Sequence, residues 1–494
     1  MRRNVRFARL RSRQAGRPTM PTPRSPLGSV LLPACVAALG GFLFGFDSGV
    51  INGTVSALTA AFGSSKAVTG FNVASMLLGC AAGAFLAGRV ADAFGRRIAL
   101  LGAAVVFAIS AWGSGIADDS VEFVIYRLIG GFAVGAASII CPAYISEIAP
   151  ASVRGRLATL QQLAIVLGLF SAFLSNYLIA LVSGGAGASW IFGYQAWQWM
   201  FWVELAPSVA FFLGLFLIPE SPRYLVAAGR HDEAARAFVR LGTAGDGRTE
   251  VADVRATLSR DRKPSFRDLR HRGRVHPIVW VGVMLAALQQ LVGINVVFYY
   301  GEVLWRAAGF SETDALKINV IGGVINISAT LAAIALIDRI GRKPLLIIGS
   351  AMMTVFLGVL AVVFARARTG EDGALGPVAG PLALVAANLY IVGFGVSWGP
   401  VMWVLLGEIF PNQIRGAALS VAGLVQWGAN FVVTITFPVL LGALGLGGAY
   451  GIYTAFAAFS AYYAWRHIRE TKGKTLEQMS VDHAAPAATG PGRP

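Results

Sequence analysis

Charge is what this 494-residue chain has least of: Asp, Glu, Lys and Arg make up 13% of it, against about 25% in an average soluble domain. With 56% hydrophobic residues and a mean hydropathy of +0.64, a soluble globular fold is excluded. Cysteine is scarce as well. Cys35, Cys80 and Cys141 fall in apolar stretches without ligand spacing, so they are packing residues and carry no disulfide framework or thiolate metal site. Five histidines sit in loops or near the ends of apolar runs, and no Gly-rich phosphate loop, metal-spaced His/Cys cluster or nucleophile–base pair is present. That excludes an enzyme and an ATP-driven pump, and no cofactor or metal is expected. Acid is missing from residues 1–28, which hold about eight arginines but no apolar core with a small-residue cleavage site. They are expected to form a disordered basic tail, with Met20 as an alternative start that keeps every apolar run.

What the chain does have is long apolar runs. A membrane helix needs about 20 such residues, and about twelve segments qualify, the first near 29–51 and the last near 444–466. Basic residues alternate from loop to loop. Arg89, Arg96, Arg97, Arg154, Arg156, Arg339, Arg342, Lys343 and Arg415 lie on one side with about thirteen more in 219–275, whereas the opposite loops carry Lys66, Arg306, Lys317, Arg366 and Arg368. The positive-inside rule therefore puts both termini and the central loop in the cytoplasm of a multi-pass protein of the cell membrane. Most of the +16 net charge reads as topology, and nucleic acid is not an expected partner. The expected plan is all-α: a six-helix half over 29–218, an amphipathic helical linker over 219–275, a second six-helix half over 276–466, and tails at 1–28 and 467–494.

Two phrases recur in the same order. "EIAPASVRG" at 147–155 matches "EIFPNQIRG" at 408–416, and "DAFGRR" at 92–97 matches "DRIGRK" at 338–343. Paired recurrences imply duplicated halves. Parallel halves place a substrate site near the bilayer midplane and alternate its access by rocking. The repeated turns, Asp92, Arg96, Arg97, Glu147 and Arg154 in one half with Asp338, Arg342, Glu408 and Arg415 in the other, are expected to gate the cytoplasmic side. Ion pairs between the halves would form when that side shuts and break when it opens.

Three ionisable residues stand inside the membrane, where an isolated charge is costly. Asp47 of "GFLFGFDSGV", Arg127 of "IYRLIGG" and Glu204 of "MFWVELAP" fall at similar depth in the outer half, so acid and base are natural partners. Elsewhere the interior offers amides: Gln161 and Gln162, then Gln289, Gln290 and Asn295 of "LQQLVGINVVFYYG", Asn326, Gln426 and Asn430, with Trp398 and Trp427 nearby. Amides donate and accept at once, as hydroxyls do, and aromatic faces cover a sugar's C–H face. The mix fits a neutral polyol better than an ion.

At these residues the chain resembles the sugar porter family of the major facilitator superfamily, from about Gly40 to about Glu477. "PESPRYL", "GRVADAFGRR", "DRIGRKPL", "QQLVGINVVFYY", "SWGPVMWVLLGEIFP" and "ETKGKTLEQM" carry the resemblance, which within the family points to the bacterial proton-coupled members for xylose and glucose. The resemblance implies a major facilitator fold, sugar held at Gln162, Gln289, Gln290, Asn295, Asn326, Trp398 and Gln426, and a proton-coupling carboxylate at Asp47 facing Arg127. The expected partners are a monosaccharide, a proton and the lipid bilayer, and the expected state is a monomer. Leu169 stands where a xylose carrier has glutamine and tilts the expectation toward glucose. Gln198 and Arg469 also depart from the pattern, away from the inferred pocket. Proton symport, and facilitated transport with a purely structural Asp47–Arg127 pair, both remain open. A membrane sugar sensor is a third class, and the tails show no output domain for it.

Overall fold

In hydrocarbon every backbone N–H and C=O must find its partner within the segment, so the apolar runs become long helices. The computed structural model describes residues 26–150, 153–243, 245–260, 269–271, 274–366, 375–411 and 413–472. The expected tails lie almost wholly outside these residues. Eleven described helices are long and apolar enough to cross a membrane. The last, Arg415–His467, has 53 residues, roughly 80 Å at 1.5 Å each and more than twice the hydrocarbon thickness. Gly445 leaves helical geometry at φ +66° and ψ −179° and divides it into two spans, which makes the expected twelve. The protein is a multi-pass membrane protein. With an even number of spans, both ends of the bundle emerge on one face, here termed the linker face.

Several spans are broken, each for a local reason. The sixth runs as Ala196–Trp202 and Leu205–Leu217 because Pro207 has no N–H and crowds the carbonyl of Val203. The seventh runs as Pro277–Leu291 and Ile294–Ala307 around Gly293, whose φ of +83° suits glycine. Tyr390 Oη donates to the Val292 carbonyl at this break (2.9 Å). The tenth, Ala379–Gly395 and Pro400–Ile409, breaks before Pro400 and leaves Trp398 in the gap. Each break frees backbone carbonyls, and these find other donors: the Ala206 N–H for Val203, Tyr390 Oη for Val292 and Gln289 Nε2 for Trp398.

Between the halves, Pro222–Ala227, His231–Arg240 and Arg248–Arg260 form the linker helices around a small core of their own that includes Leu225, Ala234 and Val251. A two-residue antiparallel pair, Arg270–His271 with Arg274–Val275, is the one departure from helix among the described regular elements. Gln198, unusual by sequence, closes a capping box with Gln195 and donates to the Gly115 carbonyl (2.8 Å), tying the sixth span to the end of the third, Arg96–Ile116. Leu169 is buried against Gly49 of the first span.

Candidate functional site

Asp47 lies one turn before the first span, Pro26–Val50, passes into the short turn Ile51–Gly53, and Arg127 lies in the second turn of the fourth, Ser120–Ile148. Their side chains are 2% and 1% exposed. One terminal nitrogen of Arg127 donates to Asp47 Oδ1, and the other to Asp47's own carbonyl (3.2 Å). The Phe201 ring lies 5.7 Å from the guanidinium, close enough for a cation–π contact. Glu204, also buried, sits at the break above Pro207 and interacts electrostatically with both partners. Arg127 thus has one direct acid partner, Asp47, with Glu204 as a second buried acid nearby. Sequence depth alone brought the three together; Phe201 was missed.

The amides form a second cluster nearer mid-membrane. Gln289 is its hub: its Nε2 donates to the Trp398 carbonyl freed at the tenth-span break (2.8 Å), and its Oε1 accepts from Gln290 (3.1 Å) and Gln426 (2.6 Å). Asn295 donates to Gln290 Oε1 across the seventh-span break. The Trp398 indole donates to Ser350 Oγ (2.7 Å), which fixes the buried ring. Trp427 meets Phe44 of the first span at 5.7 Å between ring centroids, so an aromatic pair spans the halves just below Asp47. Phe44 was not anticipated. Asn326 is buried and Gln162 half-buried, and neither joins this network. The neighbouring Gln161 is the more buried of the two glutamines; its carboxamide lies over Gly41, and neither polar atom has a hydrogen-bond partner among the described residues.

At the linker face the repeated motifs converge twice. Arg96 pairs with Asp92 (3.1 Å) and Glu147 (3.1 Å), and Arg342 pairs with Asp338 (3.0 Å) and, through two nitrogens, with Glu408 (2.8 and 3.1 Å). Ser221 and Thr471 hydroxyls donate to Glu147 and Glu408. Glu220 accepts the N–H groups of Arg96 and Arg97, as Glu470 accepts those of Arg342 and Lys343. Burial pushes the Glu470 carboxyl up, but four N–H donors, from Lys472, Arg342, Lys343 and Thr471, outweigh it and hold the group below the usual carboxylate range.

Among the described residues the ion pairs of the repeated motifs close within each half, where they brace the span ends. Each arginine opens the helix after a glycine turn, Gly95 or Gly341, four residues beyond its aspartate and beside the glutamate that ends a neighbouring span of the same half, so its acid partners are local. Arg97 donates to the Leu215 carbonyl (2.8 Å), and Arg415 to that of Phe410 (3.0 and 3.2 Å). The side chain of Arg154 lies outside the described residues.

Hydrogen bonds that do join the halves cluster at the opposite face. Asn52 contacts the outer seventh span, Ser56 Oγ donates to Glu302 (2.7 Å), and the Ala186 N–H donates to Glu312 (2.7 Å). That face is shut.

Twelve membrane helices in two halves, with a buried acid–base trio and a polar network at mid-depth, define a secondary transporter and not an enzyme. The family described as "Sugar (and other) transporter" matches residues 34–483. The chain is 54% identical to the glucose transport protein of Synechocystis sp. (strain ATCC 27184 / PCC 6803 / Kazusa), over 91% of this chain and 97% of that one. It is 38% identical to the D-xylose-proton symporter of Escherichia coli (strain K12), over 90% and 94% respectively. It also superposes on the xylose transporter XylE from E. coli in its inward open conformation, with a TM-score of 0.78 and 36% identity, over 92% of this chain and 99% of that one. The chain belongs to this sugar transporter family of the major facilitator superfamily.

Proposed function

We propose that this protein carries a monosaccharide of the glucose or xylose class into the cell together with a proton, by alternating access between its two halves. The observation that carries the reading is the buried Asp47–Arg127 pair, with a second buried acid, Glu204, nearby: ionisable groups inside a membrane are costly and mark proton or ion paths. The midplane amides around Gln289 supply donors and acceptors for sugar hydroxyls, and Trp398, Trp427 and Phe44 supply apolar faces. Gln162 and Asn326 complete the site from the fifth and eighth spans, Arg154–Ser183 and Glu312–Ile340.

The basic linker face is the cytoplasmic one by the positive-inside rule, with both termini on it. The protein is then closed outside, and the form described is the inward-facing one. Protonation of the trio changes which state the loaded protein prefers, and that difference in preference is the coupling. The acid–arginine clusters at Arg96 and Arg342 act as the cytoplasmic gate by bracing the span ends of each half, so that each half moves as one body. A single chain encloses the whole path, and the protein works as a monomer.

The test is reconstitution into liposomes holding a pH-sensitive dye, with no imposed gradient. Added glucose or xylose is expected to acidify the lumen, and Asp47→Asn to abolish acidification while keeping sugar counterflow. Counterflow in both proteins with no proton movement in either would overturn symport and leave a facilitator.

A further inference from the structure

Residues 184–195, which join the fifth span to the sixth, hold no charge, and "SWIFGYQAWQW" at 189–199 is dense in aromatic rings. The segment is tied down at both ends. The Ala196 N–H donates to the Ala188 carbonyl (2.9 Å), that of Trp197 to Ala186 (2.8 Å) and that of Trp190 to Tyr194 (2.8 Å). At its tip Phe192 takes φ +57°, the one non-glycine residue with positive φ among the described residues, and its ring is 87% exposed. Left-handed backbone strains a bulky residue, and a large ring left in water forgoes its burial. Both costs fall on Phe192, and the second vanishes only where its surroundings are apolar.

Phe192 forms one wall of a groove of about 460 Å³, with Tyr194, Trp199, Trp202 and Trp112 of the third span as the others. Trp112 and Trp202 stack at 5.2 Å between centroids, and Tyr194 and Trp199 meet Trp202 edge-on at 4.9 and 5.1 Å. The indole N–H of Trp202 donates to the Trp112 carbonyl (3.1 Å) and that of Trp199 to the Ile191 carbonyl (3.3 Å), so neither is offered to a ligand. No charged residue lines the groove. A sugar would find few partners for its hydroxyls there, whereas a hydrocarbon chain meets ring faces and edges on several sides. Val203 and Leu205 line the groove on either side of the buried Glu204. Exposed Ile109 and Val209 follow Trp112 and Leu205 deeper along the same two spans, so the groove continues into a hydrocarbon-facing surface of the bundle. Interfacial Trp and Tyr serve membrane proteins as anchors; here they enclose a volume of ligand-pocket size.

We propose that this groove is a binding site for one acyl chain of a membrane phospholipid, with the Trp112–Trp202 stack as its wall and Phe192 as its rim. The seated chain joins the third span, the sixth span at its break and the 184–195 segment, all within the first half. The site lies apart from the midplane amides, so the inference goes beyond the transport reading and holds for a symporter or a facilitator alike.

Native mass spectrometry of the full chain, released from detergent micelles to which dioleoyl phosphatidylglycerol has been added, counts the lipids retained. Phe192→Gly removes the ring and suits the left-handed backbone, so the fold is kept. Leu213→Ala, which trims an exposed side chain of the sixth span outside the groove, is the control. The parent is expected to retain one lipid, Phe192→Gly to need about tenfold more for the same occupancy, and Leu213→Ala to match the parent. Dihexanoyl phosphatidylglycerol, with the same headgroup and short chains, is expected not to be retained. Because a ligand of the folded chain raises its melting temperature, the dioleoyl lipid should raise that of the parent and of Leu213→Ala more than that of Phe192→Gly. Equal retention by the parent and Phe192→Gly, or an equal loss in Leu213→Ala, overturns the site. Equal retention of the dihexanoyl lipid overturns the acyl chain as its occupant, and so does a parent dimer that Phe192→Gly dissociates, which would assign the groove to a second copy of the chain.

Discussion

Arg127 holds Asp47 by two routes, carboxylate and backbone carbonyl, yet Asp47 Oδ2 and Arg127 Nε have no hydrogen-bond partner among the described residues. The pair is therefore locked in position without being saturated. A buried ion pair contributes little net stability when intact, but losing one member strands the other. Arg127→Ala leaves Asp47 and Glu204 without a base, and a loss of about 3–5 kcal/mol is expected. Adding Glu204→Gln removes a second acid from beside the stranded Asp47 carboxylate and should recover part of that loss. Thermal unfolding in detergent of the two single variants and the double variant checks this; strictly additive losses would mean that Glu204 is not coupled to the pair.

Gln289 engages three partners, more than any other amide of the midplane cluster. Gln289→Ala frees the Trp398 carbonyl and the Gln290 and Gln426 amides together, besides removing a group offered to sugar. A rise of about 10- to 100-fold in the KM for counterflow is expected. Asn326→Ala, outside the network, should raise KM less and leave protein stability nearly unchanged. Equal effects of the two would show that the network itself does not organise the site.

The depressed Glu470 carboxyl makes a pH prediction. Its folded value lies below its unfolded one, so its stabilising effect is present above the unfolded pKa and fades as pH falls through the folded one. Glu470→Gln is expected to melt below the parent at pH 7, and the gap to narrow as the pH is lowered below the ordinary carboxylate range. A gap that is constant with pH would mean that Glu470 acts by shape and not by charge.

The sequence made the fold legible because hydrocarbon imposes one rule on every span, and Gly445 conceals the twelfth only by bending a continuous helix. Asp47, Arg127 and Glu204 were legible because each is costly alone. The Glu220–Ser221 and Glu470–Thr471 members of the repeated clusters were not: "PESPR" and "RETKG" share two residue types and no periodic spacing. The Asn52 contacts with the seventh span were invisible for another reason. The partners lie 246 and 250 residues away, and nothing in local pattern signals a side chain that bonds the backbone of another helix. The within-half closure of the gate pairs likewise depends on which span ends are neighbours, a fact of assembly and not of motif.

Close packing of the first and fifth spans supplies the last prediction. A Cβ on Gly45 would lie 1.9 Å from the Ile165 carbonyl oxygen, and one on Gly168 would lie 1.9 Å from that of Phe42. In both cases the obstacle is backbone, which cannot rotate aside as a side chain can. The two glycines are reciprocal, each admitting the other helix's main chain, as small residues do where membrane helices approach closely. Either Gly→Ala change should force the spans apart and cost about 1–3 kcal/mol or more. Because the first span carries Phe44 and Asp47, separation would also displace the aromatic pair with Trp427 and the buried pair with Arg127. Gly102 of the third span is the control, since nothing lies within 4 Å of its would-be Cβ. Gly102→Ala is expected to be neutral or stabilising by up to about 1 kcal/mol through lost unfolded-state freedom. Thermal unfolding of the three variants decides: if Gly45→Ala and Gly168→Ala melt with Gly102→Ala, the first span is not held by backbone contact, and its site residues owe their placement to side-chain packing alone.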